Sequence, residues 1–169
     1  MVILQFCFVK ILFMVDILDY KILEILQENN LIPQRDIGDA IGLSAPAVQR
    51  RIKKMRESGI IEKDVSIINR DMLGNTITII VEVFLDSEKL EHILTIKNEF
   101  SVVAEIQQCY YVTGESDFFL VMVVSSMKEY EELSKKLFID NSNIKRFRTI
   151  VSMGIDKTSL KIPLSNKLG

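Results

Sequence analysis

The sequence predicts an α+β chain of two small domains, and three observations point there. Residues 17–58 carry apolar positions at helical spacing, interrupted by turn signals. Ile77, Ile79, Val81, Val83 and Leu85 alternate strictly, with the two-residue period of a strand. Between these rhythms residues 69–75, with Gly74, show neither and read as a linker. A chain of 169 residues holds two such domains, and 48% apolar with 26% charged residues excludes a disordered or fibrous class.

The first helix is expected from Ile17 to Glu28, with Leu18, Ile22, Ile25 and Leu26 on one face and Asn29-Asn30 as its stop. Pro33 suits the start of a second helix, Gln34 to Ile41, whose apolar face is Ile37, Ala40 and Ile41. Gly42 ends it, since glycine takes a left-handed C-terminal turn cheaply. Ser44 then reads as the N-cap of a third helix, with its hydroxyl available to an early amide and Pro46 in the first turn. That helix stops at Gly59, and residues 60–68 read as a short strand or wing.

In the second half Ser87 is expected to cap a helix bearing Leu90, Ile93, Leu94, Lys97 and Phe100. Residues 102–112 form a second strand, Thr113 to Ser116 a turn, and Phe118 to Val124 a third strand, apolar without a break. Ser126 to Glu129 is a capping box opening a helix with Tyr130, Leu133 and Leu137 inside. Residues 144–155 close as a fourth strand. The order β-α-β-β-α-β is the ferredoxin-like arrangement. Its sheet has helices for one face only, yet Ile80, Phe84 and the second side of the third strand are apolar too. A second subunit is the cheapest cover, giving a homodimer; the N-terminal run is the alternative.

Net charge is −2, but residues 34–63 hold seven cations against four acids and leave the rest at −5. A basic island in an acidic chain is an electrostatic footprint for phosphate. On a wheel, Val48, Ile52 and Met55 of the third helix fall in one arc, with Pro46, Gln49, Arg50 and Lys53 opposite and Lys54 beside them. An apolar back and a cationic, amide-bearing front suit the major groove of double-stranded DNA. Gln49 can read adenine and Arg50 guanine, while Lys53 and Lys54 suit phosphate. Arg51 and Arg56 flank the apolar arc, where pairing within the protein and contact with phosphate are both open.

Asp16-x-x-Asp19-x-x-Ile22-Leu23, Gly42-Leu43-Ser44, Val48-x-x-Arg51-Ile52 and Gly59-Ile60-Ile61 together resemble the winged-type helix-turn-helix of the Lrp/AsnC regulators. The linker from Ile68-Asn69 to Leu73-Gly74 and the turn Val112-Thr113-Gly114-Glu115-Ser116-Asp117 are similar to theirs as well. The resemblance implies a transcriptional regulator of amino-acid metabolism, dimeric through its sheets and often assembled into tetramers or octamers. It also implies an effector, usually an amino acid, bound between dimers near that turn, which makes Thr113, Gly114, Glu115, Ser116 and Asp117 the candidates. Asp117 has the charge to pair with an α-ammonium group. Two positions depart from the pattern: Ser116, commonly aromatic, and Asn143-Ile144, usually Gly-Val.

The expected layout is a non-family extension at 1–13, a helix-turn-helix domain at 14–63, a linker strand at 64–75, a dimerisation and effector domain at 76–160, and a tail at 161–169. The first 14 residues are apolar but shorter than the ~20 needed to span a bilayer, and they lack signal-peptide features. They read as an extension before a true start at Met14, with an interface segment or a weak anchor as alternatives. Neither cofactor nor membrane partner is implied. Cys7 and Cys109 lack metal-ligand spacing, so a reduced cytoplasmic setting is expected, with Cys109 buried. Lone His92 is expected to face solvent. Two rival functions remain, a siroheme decarboxylase-like enzyme and an effector-binding module that does not read DNA.

Overall fold

A computed structural model describes residues 15–74, 76–87 and 89–164. The expectation for 1–13 lies outside the described residues. The described residues divide into two compact units, residues 15–67 with 159–164, and residues 68–158.

In the first unit α1 (Ile17–Glu28), α2 (Gln34–Ile41) and α3 (Ala45–Glu57) close around Ile22, Ile37, Val48, Ile52 and Met55. A reciprocal capping box opens α1: Asp16 Oδ1 accepts from Asp19 N at 2.9 Å, and Asp19 Oδ2 accepts from Asp16 N at 3.1 Å. Gly42 takes the left-handed turn after α2, at φ 77°. Gly38 is buried where the two helices meet, and a Cβ there would stand 2.3 Å from the Leu43 carbonyl oxygen. The sequence reading missed that contact. It also placed Ala40 inward, whereas Ala40 is exposed and Ile41 half-buried.

Ser44 holds the N-cap position of α3 without a side-chain bond, so its hydroxyl is not the cap expected of it. Instead its carbonyl accepts from Ala47 N and Val48 N. Among the described residues of 60–75 there is no strand or paired wing, only a 3-10 turn at Arg70–Met72. Val65 and Ile67 alternate as a strand would, but one chain offers them no ladder partner.

The second unit is an antiparallel sheet in the order β2-β3-β1-β4, from β1 (Ile77–Leu85), β2 (Ile106–Tyr111), β3 (Phe118–Val124) and β4 (Ile144–Val151). Helices α4 (Leu90–Ser101) and α5 (Met127–Ser134) cover one face. Their core joins Ile79, Val81 and Val83 of β1 to Phe118, Leu120 and Met122 of β3. Phe100 of α4 meets Phe118 and Phe138 edge-on. A π turn at Lys135–Ile139 extends α5 and brings consecutive Leu137 and Phe138 into that core.

Several boundaries and faces differ from expectation. The second strand starts at Ile106 because residues 102–105 turn after α4, and the fourth stops at Val151. Lys89, not Ser87, holds the α4 N-cap. Ile93, Ile96 and Phe100 form the buried stripe of α4, leaving Leu90 and Leu94 exposed. His92 is half-buried with Nδ1 lacking a hydrogen-bond partner, and Cys109 is exposed on the edge strand β2.

Candidate nucleic-acid interface and ligand pocket

Packing alone orients α3. Val48, Ile52 and Met55 are buried against α1 and α2, so the opposite side must face out. Arg51 locks this orientation: its Nη1 donates to Asp19 Oδ1 at 2.8 Å and Asp16 Oδ2 at 2.7 Å. Asp19 is only 1% exposed, so the guanidinium neutralises a buried carboxylate as well as joining two helices. The Asp19 amide and the Arg51 guanidinium together hold the Asp16 carboxyl below its ordinary value of 3.8. Arg56 is bound to Asp64 at 3.0 Å. Both flanking arginines therefore pair within the protein.

The outward side carries Ser44, Pro46, Gln49, Arg50, Lys53 and Lys54, all exposed. Pro46, Gln49, Arg50 and Lys53 line a shallow hollow of about 560 Å³, together with Gln34, Arg56 and Glu57. Gln34 opens α2, and only the fold reveals that it borders the α3 face. Gln49 and Arg50 have no hydrogen-bond or ion-pair partner among the described residues, whereas Lys53 lies 3.8 Å from Glu57. Two adjacent groups able to read base edges are thus exposed and uncommitted.

In the second unit the turn after β2 meets the helix-free sheet face. A pocket of about 240 Å³ there is lined by Thr113, Gly114, Glu115 and Ser116, with Glu82, Phe84, Phe119, Arg146 and Arg148. Asp117 does not line it. Its Oδ2 accepts from Leu85 N at 2.8 Å and its amide donates to Val83 O at 2.9 Å, so this carboxylate fastens the turn to β1.

The five added residues come from three strands, and register explains why the sequence concealed them. Glu82 lies opposite Phe119 on one side and Arg148 on the other, while Phe84 faces Arg146. Arg148 grips the nearly buried Glu82 at 2.5 Å, and this bond pushes the arginine further up. Arg146 sits 3.6 Å above the Phe84 ring, with no hydrogen-bonded or ion-paired partner for its N–H fork among the described residues. A guanidinium held flat with open donors has the geometry to meet a carboxylate in two bonds.

A cationic helix locked from behind in one unit and a sheet with a small pocket in the other define a DNA-binding regulator with a ligand-binding module. Residues 15–62 match the family model for winged helix-turn-helix DNA-binding, and residues 78–161 match that of the Lrp/AsnC ligand binding domain. The chain is 37% identical over 146 residues to an uncharacterized HTH-type transcriptional regulator of Sinorhizobium fredii, covering 86% of each. A crystal structure of an AsnC family transcriptional regulator from Agrobacterium tumefaciens superposes with TM-score 0.81 at 28% identity, over 88% of this chain and 97% of that one. The complex of a transcriptional regulator from Neisseria meningitidis with L-Met shares the fold, with TM-score 0.83 at 19% identity over 92% and 100% of the two chains. The chain belongs to the Lrp/AsnC family of helix-turn-helix transcriptional regulators. Its relatives are named as regulators, and its domains are regulatory rather than catalytic. No helix among the described residues is long and apolar enough to cross a membrane.

Proposed function

We propose that the chain acts in the cytoplasm, reads a palindromic operator as a homodimer, and responds to an α-amino acid held in the sheet pocket. One observation carries the DNA reading: Gln49 and Arg50 are exposed and uncommitted on a helix whose back is fixed by Arg51 and the core. Gln49 and Arg50 contact base edges, Lys53 and Lys54 contact phosphate, and Ser44 and Pro46 sit at the end of α3 that enters the groove. Two such helices per dimer reach half-sites about one DNA turn, ~34 Å, or a multiple apart.

Dimerisation is supported by the helix-free sheet face. Away from the pocket that face presents Ile80, Val121, Val123 and Ile150, apolar and only partly covered. At its other end the pocket offers Arg146 to a carboxylate, exposed Glu115 to an ammonium group, and Phe84 and Phe119 to an apolar side chain. Thr113, Gly114 and Ser116 form the rim, and Asp117 holds the turn in place. A volume near 240 Å³ falls below the ~300–1,000 Å³ typical of drug-sized ligands. That size fits an amino acid, and Arg146 and Arg148 bring cations together there. L-Met, the ligand in the Neisseria complex, is the first probe to try.

The test of the reading face is a pair of variants assayed on a duplex selected from random DNA. Arg50→Ala loses about 1–3 kcal/mol of discrimination against a scrambled duplex, while Lys54→Ala weakens both duplexes alike and lowers the salt slope by about one. If both variants keep the wild-type preference and affinity, α3 is not the reader. Isothermal titration with L-Met and other amino acids tests the pocket: Arg146→Ala should abolish whatever binding the wild type shows, and retained binding would reject the pocket.

A further inference from the structure

Past β4 the chain leaves the sheet. Residues 159–164 group with the helices of the N-terminal unit, and Lys161 and Ile162 make specific contacts with α1. Gln27, in the last turn of α1, meets the Ile162 peptide with both ends of its carboxamide. Its Nε2 donates to Ile162 O at 3.1 Å, and its Oε1 accepts from Ile162 N at 2.7 Å. Next along each segment, Lys161 Nζ pairs with Glu28. A single contact would leave an extended segment free to pivot, but two opposed bonds from one planar amide fix its position and direction together. The Ile162 side chain is 65% exposed, so the peptide rather than apolar burial makes the attachment.

The chain therefore crosses between the units twice, at 67–68 and again at 158–159. The sheet unit is inserted between α3 and the tail. A body held by one connection swivels about it, whereas a second attachment removes orientations. Neither Gln27, Glu28 nor Lys161 belongs to the outward face of α3 or its hollow. Whatever these residues do for DNA binding, they do without touching the reading surface.

We propose that residues 159–162 are a strap, a second tether that restricts the orientation of the DNA-reading unit so that two readers engage two half-sites together. The functional half of this inference rests on the two-fold operator reading proposed above. Once one reader is bound, engagement of the second is intramolecular, and its effective concentration falls as the reader samples more orientations. The strap raises that concentration and leaves the intrinsic affinity for one half-site alone.

The experiment uses the full-length protein, Gln27→Ala, Lys161→Glu and the double variant Glu28→Lys/Lys161→Glu. Each is measured by amide hydrogen exchange and by affinity for duplexes with one or two half-sites. In the wild type the Ile162 amide is expected to exchange about tenfold or more below the unstructured rate, and Gln27→Ala removes that protection. Gln27→Ala keeps one-site affinity within about twofold and loses about five- to tenfold on two sites. The charge-reversed double variant recovers most of what Lys161→Glu loses. An Ile162 amide at the unstructured rate in the wild type overturns the strap. So does equal weakening of both duplexes, or two-site affinity that Gln27→Ala leaves unchanged. If the wild type binds one and two half-sites equally, the two-fold reading fails by itself, and exchange decides the strap: protection lost in Gln27→Ala supports it, and unchanged exchange rejects it.

Discussion

Arg51 ties α3 to α1 through the buried Asp19 carboxylate, so removing its guanidinium leaves a charge in the core without its cation. Arg51→Ala should lower stability by about 3 kcal/mol, the scale of unpairing a buried charge. The adjacent Arg50→Ala should stay within about 0.5 kcal/mol of wild type, as exposed substitutions do. Urea unfolding of the two variants reads this contrast, and equal midpoints would refute it. The wheel placed Arg50 on the reading face but left Arg51 undecided, because an edge position faces both core and solvent. Its partners lie 32 and 35 residues away and follow from helix packing, not from local pattern. Gly38 was likewise hidden: one atom at Cβ would meet the Leu43 carbonyl. Gly38→Ala should lower stability by about 1–3 kcal/mol despite alanine's better helix propensity, since backbone must move to make room. A raised melting temperature would show that the turn yields freely.

Among elements, the start of α1 gives a pH signature. The Asp16 carboxyl titrates below its ordinary value in the folded chain, so its contribution is present above that ordinary value. It is lost as pH falls through the lower folded value. Stability of the wild type relative to Asp16→Asn should be constant well above the ordinary value of 3.8 and fall as pH drops through the lower folded value. Denaturant titrations along that series check it, and a difference that persists at the acid end would contradict it. Among the described residues every α-helix and sheet strand was legible, because amphipathic spacing, alternation and unbroken apolar runs reflect burial directly. What failed were elements whose partners lie elsewhere. Val65 and Ile67 alternate like a strand but lack a ladder in one chain, and Leu90 and Leu94 share helical spacing with a core they do not enter. The pocket was half legible. Its turn shows as a Gly-containing connection, whereas Glu82, Phe84, Phe119, Arg146 and Arg148 converge only through strand register.

For the whole molecule, the helix-free sheet face predicts association. Val121 is central on it, opposite Ile80 of β1 and remote from the core face. Val121→Lys should leave the sheet domain folded, with unchanged far-ultraviolet circular dichroism, while sedimentation shows a shift from dimer to monomer. Affinity for a two-site operator should then collapse towards that for one site. A dimer that survives the lysine would place the subunit contact elsewhere. On the proposed function, reading and assembly fall on separate surfaces, and each should be removable without the other.

The most direct measurement of the central role of α3 is the affinity of full-length wild type and Arg50→Ala for a selected duplex and a scrambled one, across a salt series. The wild type should prefer the selected duplex at every salt concentration, with both affinities falling steeply as salt rises. Arg50→Ala should retain the scrambled-duplex affinity to within the loss of one charge and forfeit most of the preference. A wild type with no preference, or an Arg50→Ala variant that keeps it in full, would contradict the assignment of this helix as the reader of sequence.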